Sequence, residues 1–597
     1  MLKYNNDQEL KERGVNIELL YFYQRWQELV DNRTVDVYQY RIHNLYTSIY
    51  ELLDVIKKTI NGLYTSDHNI DCCCEETLSI LNIDDVLVKY EKPLLDRLRW
   101  NIGKKPSKIH EKKSLKAQLQ YALSKLSPIY LDLLLDEIWN DIITLDVKRM
   151  DNHINSLISQ CIFNGWSSRA LLDIVRFFRG DETLQNKWNV FRNVIASNHK
   201  INHDILISIP FQGNKQVTQE QAIITLEKLG LEVKTYDQLT RIFSEIPNIR
   251  TTLKSEKKYI KLSIESPDVY SAAHLGVKYI SDKVNIASFY NLIIAWDLKS
   301  MVIISINAIT KYQKIITAED LYKTYDYLDS SSKIFESTKK IFFEPQKYII
   351  QDKLKGAFAY TNISRASLFQ EEKYMNIWVA LESLARTDMY NDIISNVKET
   401  LPPALCLRYV YRTIRNFAED CSRCGVKFKF SSYEIDINQD TKQKLVKQTI
   451  KIFKDDSVFK ELKEKCLVNE LLSKRCTDIF QLVNDVEYAK SKIENHYKKV
   501  KWQIQRLYRI RNEIAHSALQ KNISLIIYIE HLYDYLATFI SEIVTCLENK
   551  NLKTLEEVYC VIKDNYDVFI ELQKDRRNYN LIEDGVLTTG IIDLVLR

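Results

Sequence analysis

Glycine and proline are scarce, 12 and 9 in 597 residues. With so few residues that turn or break the chain, long helices are the expected architecture. Long hydrophobic runs are missing as well. No stretch approaches 18 apolar residues, so no segment is expected to span a membrane. Glycine-rich phosphate loops are absent too. The only glycines five apart, Gly585 and Gly590, are followed by Ile591 and Ile592 instead of Lys and Ser/Thr, and no GxGxxG occurs. ATP or NAD chemistry of the usual kinds is therefore not expected, and no cofactor is assigned. A large excess of one charge is also lacking: the net +5 permits a nucleic-acid partner without demanding one. The opening MLKYNNDQELKERG carries acids and no apolar stretch, unlike a signal peptide. Eleven cysteines without regular spacing point to a reducing compartment, so a cytoplasmic protein is expected.

What is present divides by pattern, and the length calls for several cores. Residues 1–200 read as a helical N-terminal region, with apolar residues at helical spacing over Ile17–Val30, Val37–Leu63, Leu115–Val147 and Asn152–Ile195. Lys104–Lys113 reads as a basic, solvated connector, with Ser114 as the N-cap of the next helix. Residues 201–345 read as a central α/β domain. Strands are expected at Asp204–Pro210, Leu231–Tyr236, Tyr259–Glu265 and Met301–Asn307, and helices at Thr218–Leu229 and Asp268–Ala287. This β-α-β-β-α-β order is that of a ferredoxin-like plait, with a long gap at Asp237–Lys258. Residues 346–550 read as a helical bundle. Its helices are a segment capped by Ser367 and Gln370, then Pro402–Cys421, Lys442–Lys454, Asp485–Ala515 and Ile523–Leu547. The tail, 551–597, suggests one more helix and a short strand at Gly585–Leu596.

Several motifs carry chemistry in principle. Cys421 and Cys424 form a CxxC, half of a zinc site, with Cys406, Cys466 or Cys476 able to join only through folding. A structural thiol pair is the simpler reading. The sole HxxxH, His199 and His203, lies at a suspected boundary. Asp84–Asp85 and Asp455–Asp456 resemble Mg²⁺-binding pairs, but adjacent helix residues do not face each other. No metal site is assigned.

The strongest stretch is Val500 to Ala518, VKWQIQRLYRIRNEIAHSA. Val500, Ile504, Leu507, Ile514 and Ala518 form an apolar seam, and Arg511 falls on it. A guanidinium on such a line is costly unless it is paired or faces a cavity. His516 follows five residues later, and Asn512 shares its face. Arginine can fork onto a scissile phosphate and stabilise its growing charge. Histidine can take the proton of an RNA 2′-OH or return one to the 5′-oxygen. No metal is then required, and DNA lacks the attacking hydroxyl. Five helical residues turn about 140°, so Arg511 and His516 share a face only if the helix ends or bends, or if a second subunit completes the site. The other reading of Arg511 is a buried ion pair with Glu382 or another acid. A longer version of the spacing, with six residues between Arg and His, recurs at Arg192–Asn193 and His199, without an apolar seam.

RNEIAH on a helix, followed by ISLIIYIEHLYDYLATFISEI, resembles the HEPN superfamily, whose hallmark is Arg-x4–6-His with a polar residue after the Arg. The upstream EKYMNIWVALESLAR, carrying Glu382, is similar to the first helix of Apea-like HEPN proteins. The resemblance covers roughly Ser367 to Glu548. It implies a helical bundle that forms a homodimer with two motifs lining one cleft. It also implies metal-independent RNA cleavage, with tRNA among the possible substrates, in antiphage abortive infection or a toxin-like system. Carried over, Arg511 and His516 are catalytic and Asn512 supports them, with Glu382 and Tyr508 as further supporting residues. Tyr508 would stand in for a tyrosine that some members place two residues after the His, where this chain has Ala518. The insertion Cys424–Asp485 is a departure. The N-terminal and central parts would restrain the nuclease or sense a phage-derived trigger. The rival reading is a catalytically inactive HEPN-like module that binds RNA, nucleotide or a protein.

Overall fold

The computed structural model describes residues 6–31, 40–64, 66–196, 201–209, 217–292, 302–307, 311–317, 321, 332–343, 350–367, 369–430, 442–517, 525–550 and 552–572. They are mostly helical, with one small antiparallel sheet of five strands.

The first part is α1 (Asp7–Glu12), α2 (Leu20–Val30), α3 (Leu45–Ile60), α4 (His68–Leu81), α5 (Asp85–Tyr90), α6 (Lys92–Gly103), α7 (Ile109–Leu126), α8 (Tyr130–Thr144), α9 (Val147–Phe163), α10 (Ser168–Ile174) and α11 (Leu184–Ala196). Their apolar faces share one core, centred on the packed rings of Phe22, Trp26, Phe178, Trp188 and Phe191. Two expected boundaries shift. The helix expected from Val37 starts at Leu45, because Asn44 and Thr47 form a reciprocal capping box there. The segment expected to be one helix from Leu115 is two, α7 and α8, with Pro128 between them. The supposed connector is helical from Ile109, so Ser114 lies inside α7 and is not its cap. The Glu111 carboxylate instead accepts the backbone N–H groups of Ser107 and Lys108, each at 3.0 Å.

The central part is β1 (Ile201–Ser208), α12 (Gln219–Lys228), β2 (Glu232–Lys234), α13 (Tyr236–Ile242), α14 (Ile249–Thr252), β3 (Tyr259–Ser266), α15 (Val269–Phe289), β4 (Val302–Asn307) and β5 (Gln313–Thr317). The sheet order is β2-β3-β1-β4-β5, every neighbour antiparallel, with Ile205 opposite Leu262 and Ser305. Side chains alternate across a strand. Ile205, Ile207 and Ile303 therefore face α12 and α15, while Leu206, Ile304 and Ile306 pack with Leu239, Phe243 and Ile249. The Asp237–Lys258 gap is thus the cover of the second sheet face. The central strands β1 and β4 are thereby buried on both faces. β5 was not expected.

The last part is α16 (Ser332–Phe343), α17 (Gln351–Ala366), α18 (Gln370–Ala385), α19 (Ile393–Arg423), α20 (Lys442–Lys454), α21 (Asp456–Lys465), α22 (Glu470–Asn484), α23 (Val486–Ser517), α24 (Ile526–Lys550) and α25 (Leu555–Leu572). One core runs through them from Ile341 to Phe569, so α16 and α25 pack with the bundle. Ser367 is not an N-cap. It ends α17, and its hydroxyl donates to the Ile363 carbonyl. Gln370 is drawn into tertiary contacts, accepting the Leu525 N–H at 2.7 Å and hydrogen-bonding His274 of α15. α19 starts nine residues before Pro402, and both Pro402 and Pro403 lie buried inside it. Their missing N–H groups leave two carbonyls of the preceding turn without helical partners. The insertion after Cys424 supplies α20, α21 and α22. The strand expected at Gly585–Leu596 lies outside the described residues. No helix among the described residues is long and apolar enough to cross a membrane.

Candidate functional site

α23 runs without interruption through the whole motif, so neither an end nor a bend separates Arg511 from His516. Val500, Ile504 and Leu507 are buried in the C-terminal core, and Ile514 packs against it. Tyr374 of α18 fixes this seam by donating its hydroxyl to the Leu507 carbonyl at 2.5 Å. Ala518 lies outside the described residues.

Arg511 emerges beside α18. Its guanidinium Nη2 stands 3.9 Å from Glu382 Oε2, at the outer limit of an ion pair, and its side chain keeps 24% exposure. Glu382 is engaged more closely by the Trp378 indole N–H, at 2.9 Å. Tyr508 packs its ring against Trp378, with centroids 5.9 Å apart. Arg511 Nη1 donates to Asn512 Oδ1 at 3.1 Å, and its Nε is buried without a hydrogen-bond partner. Arg511, Asn512, Glu382 and Tyr508 therefore gather in one place.

His516 does not join them. It is exposed in the last turn of α23, about 140° around and about 7.5 Å along from Arg511. Asn512, expected to hold the imidazole, uses its side-chain oxygen on Arg511 instead. Within one chain the motif is thus split between two faces of a helix.

The face that carries His516 is the one the sequence left unexplained. Seven residues earlier along almost the same direction is Arg509, with Gln505, Arg506 and Glu513 around it. All four are buried and touch the N-terminal helices. Arg506 forks onto Glu51 of α3 with two bonds of 2.9 Å and also reaches Glu76 of α4. Arg509 reaches the same Glu51 at 2.7 Å, and His43 lies 3.1 Å from it. Gln505 donates to Asn69 at 2.7 Å. Glu513 accepts Lys58 at 2.9 Å and the Tyr64 hydroxyl. Burial alone would raise the Glu51 pKa, but Arg506, His43 and Arg509 hold it well below the carboxylate range. Burial would lower the Arg506 pKa; Glu51 and Glu76 outweigh it and keep the value well above normal. The available sequence signal was a polar stripe, Gln505-Arg509-Glu513, opposite the apolar seam; its acidic partners lie more than 400 residues away.

The other candidates resolve differently. Arg192 is paired with Asp132 and Asp136 on α8, while His199 lies outside the described residues. Asp84 caps α5 through the Leu87 N–H and accepts the Tyr130 hydroxyl. Asp85 binds Arg149 and His153. Asp455 caps α21. Asp84, Asp85 and Asp455 are thus accounted for by caps and ion pairs, and Asp456 is an exposed residue in the first turn of α21. His203 is buried on β1 against the Ser266 carbonyl. Cys421 is buried and shares a thiol hydrogen bond with Cys466, which also bonds Cys476; burial pushes the Cys424 thiol up to about 12. No described cysteine is in a disulfide, and no described group of three or more His, Cys, Asp or Glu is arranged to hold a metal ion.

No family model matches the chain, and the comparisons with curated proteins and with solved structures return no significant match.

Proposed function

We propose that the chain is a metal-independent endoribonuclease of the HEPN type, cutting RNA at a site built from Arg511 and His516. The observation that carries this reading is the state of Arg511. It lies on the core seam of α23, yet it has one distant acid, a neighbouring amide and a buried Nε without a partner. A structural arginine would be paired as Arg506 and Arg509 are. A guanidinium held in place with spare donors suits a phosphate that arrives with substrate.

His516 takes the proton from the 2′-OH or protonates the departing 5′-oxygen, giving a cyclic phosphate and a free 5′-hydroxyl. Because Arg511 and His516 diverge on one helix, the working site combines Arg511 of one subunit with His516 of a second in a homodimer. The N-terminal helices grip α23 one turn before His516, through Lys58 and Tyr64 on Glu513. That contact suits a restraint lifted by a trigger, phage-derived in an antiphage or toxin-like setting in the cytoplasm. Around this site we place a helical region (1–200), a ferredoxin-like domain from residue 201, and a HEPN-like bundle whose core takes in Ile341 of α16 and Phe569 of α25.

The second reading, an inactive HEPN-like module that binds RNA, nucleotide or protein, is favoured by the separation of Arg511 from His516 and by the capture of Asn512. One experiment decides. Wild type, Arg511→Ala, His516→Ala and Arg192→Ala are expressed, and growth and RNA integrity are followed at rest and under phage challenge, with cleavage repeated in EDTA. Cleavage by wild type and Arg192→Ala alone supports the nuclease. Intact RNA with wild type in every condition overturns it, and cutting by both motif variants places the activity elsewhere.

A further inference from the structure

The net charge conceals a strong local asymmetry. Between Lys92 and Leu126, on α6, α7 and the turn joining them, ten Lys and Arg stand against two acids, Asp96 and Glu111. The stretch is therefore +8, whereas the whole chain is +5, so the other 562 residues sum to −3. Few of the ten are neutralised. Lys105 pairs with Glu75, Lys112 with Asp67, and Arg99 weakly with Asp96. The other seven, among them Arg97, Lys104, Lys108 and Lys113, make no ion pair among the described residues.

Aromatic rings are interleaved with these cations. Trp100 is 68% exposed and Tyr121 51%, unusual for rings of that size. Each has a lysine four residues on, over its face: Lys104 Nζ is 4.6 Å from the Trp100 centroid and Lys125 Nζ 5.9 Å from that of Tyr121. The core-facing sides of both helices are already used by Leu94, Leu95, Leu98, Ile102, Leu115, Leu119, Ala122 and Leu126. What remains outside is a cationic surface with two rings and one exposed aliphatic side chain, Ile109, short of the continuous apolar stripe by which a helix lies in a lipid interface. The surface also connects to the motif helix. Lys105 binds Glu75, and Glu75 accepts the indole N–H of Trp502 on α23 at 3.4 Å. From Trp502 to His516 is 14 helical residues, about 21 Å, a span of a few nucleotides.

We infer that the α6–α7 surface is a docking site for single-stranded RNA, phosphates lying along Lys104, Lys108 and Lys113 and bases stacking on Trp100 and Tyr121. The choice of RNA over another polyanion rests on the reading of the chain as a ribonuclease. Ring-plus-cation surfaces of this kind hold single strands with little sequence preference and strong salt dependence.

The test uses the full chain carrying His516→Ala and a fluorescein-labelled 15-nucleotide RNA with 2′-O-methyl riboses, so that binding is read without cleavage. K104E/K108E/K113E should weaken binding at least tenfold and reduce the slope of log Kd against log salt by about 2, for three lost phosphate contacts. Trp100→Ala should weaken it about 5- to 100-fold with the slope unchanged. These side chains are exposed, and circular dichroism verifies that the variants fold. Unchanged affinity and slope in both variants overturns the proposal. Loss of binding to phosphatidylserine vesicles with RNA binding intact overturns it in favour of a membrane surface. If the surface variants bind RNA normally while Arg511→Ala abolishes cutting, the docking site fails and the nuclease stands. If they lose RNA while wild type never cuts, the nuclease fails and the docking site stands.

Discussion

Arg506, Arg509 and Arg511 lie within six residues of one helix and meet opposite fates. Arg506 and Arg509 point into the junction between α23 and the N-terminal helices, where Glu51 and Glu76 answer both. Arg511 points to α18, where Glu382 stands at 3.9 Å and is already engaged by Trp378. Sequence alone sets Arg511 on the apolar seam and Arg509 opposite it, but does not show which of the three is paired. The difference teaches that the paired face serves cohesion, since a buried charge network is costly to break but adds little specific chemistry. The half-open face is the one with donors left for a ligand.

The sharpest way to break the comparison is to remove the shared acid. Among the described residues, Glu51→Gln leaves Arg506 paired with Glu76 alone and Arg509 with no carboxylate partner. The expected cost is about 3–5 kcal/mol, the usual price of a buried charge stripped of its partner. It should appear as a lower midpoint in urea unfolding followed by tryptophan fluorescence. A change below about 1 kcal/mol would mean that the junction is not held by this network.

Next in size is the proposed cleavage site. Arg511→Ala and His516→Ala should each reduce RNA cleavage on the order of 10²–10³-fold. The divergence of the two residues on α23 adds a stricter expectation. Mixed in equal amounts, the two inactive variants form hybrid dimers in about half of the population, and each hybrid holds one site with both residues intact. About a quarter of wild-type activity should return. A site built within one chain would regain none.

A second buried network, far from α23, sharpens the contrast through pH. His153 on α9 bridges Asp141 and Asp85, each at 2.5 Å. Burial alone would lower its pKa, but the two carboxylates push it up to about 9, while Asp85 is held down to about 2. A histidine raised in the folded state stabilises fully below its ordinary value near 6.5, and that contribution is lost as pH rises through 9. The loss amounts to at most about 3 kcal/mol, since each tenfold change in proton affinity is worth about 1.4 kcal/mol. Unfolding midpoints measured from pH 6.5 to 8.5 should fall more steeply in wild type than in His153→Gln, which retains only the loss that comes from buried thiols ionising on unfolding.

Much of the fold was legible because helical and alternating periods are local signals. The strand pattern and α12, α15, α20 and α23 could be read within a few residues. What escaped was decided by tertiary partners. Asn44 and Ser367 are both good caps by type, yet only Asn44 caps a helix; Gln370, expected to complete a capping box with Ser367, is claimed by Leu525 and His274. Pro402 and Pro403 read as a helix start but are tolerated inside α19 by the core around them. At the site, the seam followed from spacing, whereas Glu382 and Tyr508 entered through the resemblance of the flanking helices. The placement of Asn512 against Arg511 did not, nor did the clamp on Arg506 and Arg509, whose acids are supplied from α3 and α4.

The smallest expected effect is the most discriminating. If Arg511 were a structural ion-pair residue, Arg511→Ala would strand Glu382 and cost several kcal/mol, as Glu51→Gln does. The geometry argues otherwise. The Arg511–Glu382 contact is long and partly exposed, the carboxylate keeps the Trp378 N–H, and removing the guanidinium also removes a buried Nε that has no partner. Arg511→Ala should therefore shift the urea midpoint by less than about 1 kcal/mol equivalent, and Arg192→Ala on the solvent-facing pair with Asp132 by a similar amount. An Arg511→Ala protein as stable as wild type and unable to cut RNA would separate the two faces of α23. An equally large loss of stability at Arg511 and at Glu51 would merge them into one structural network.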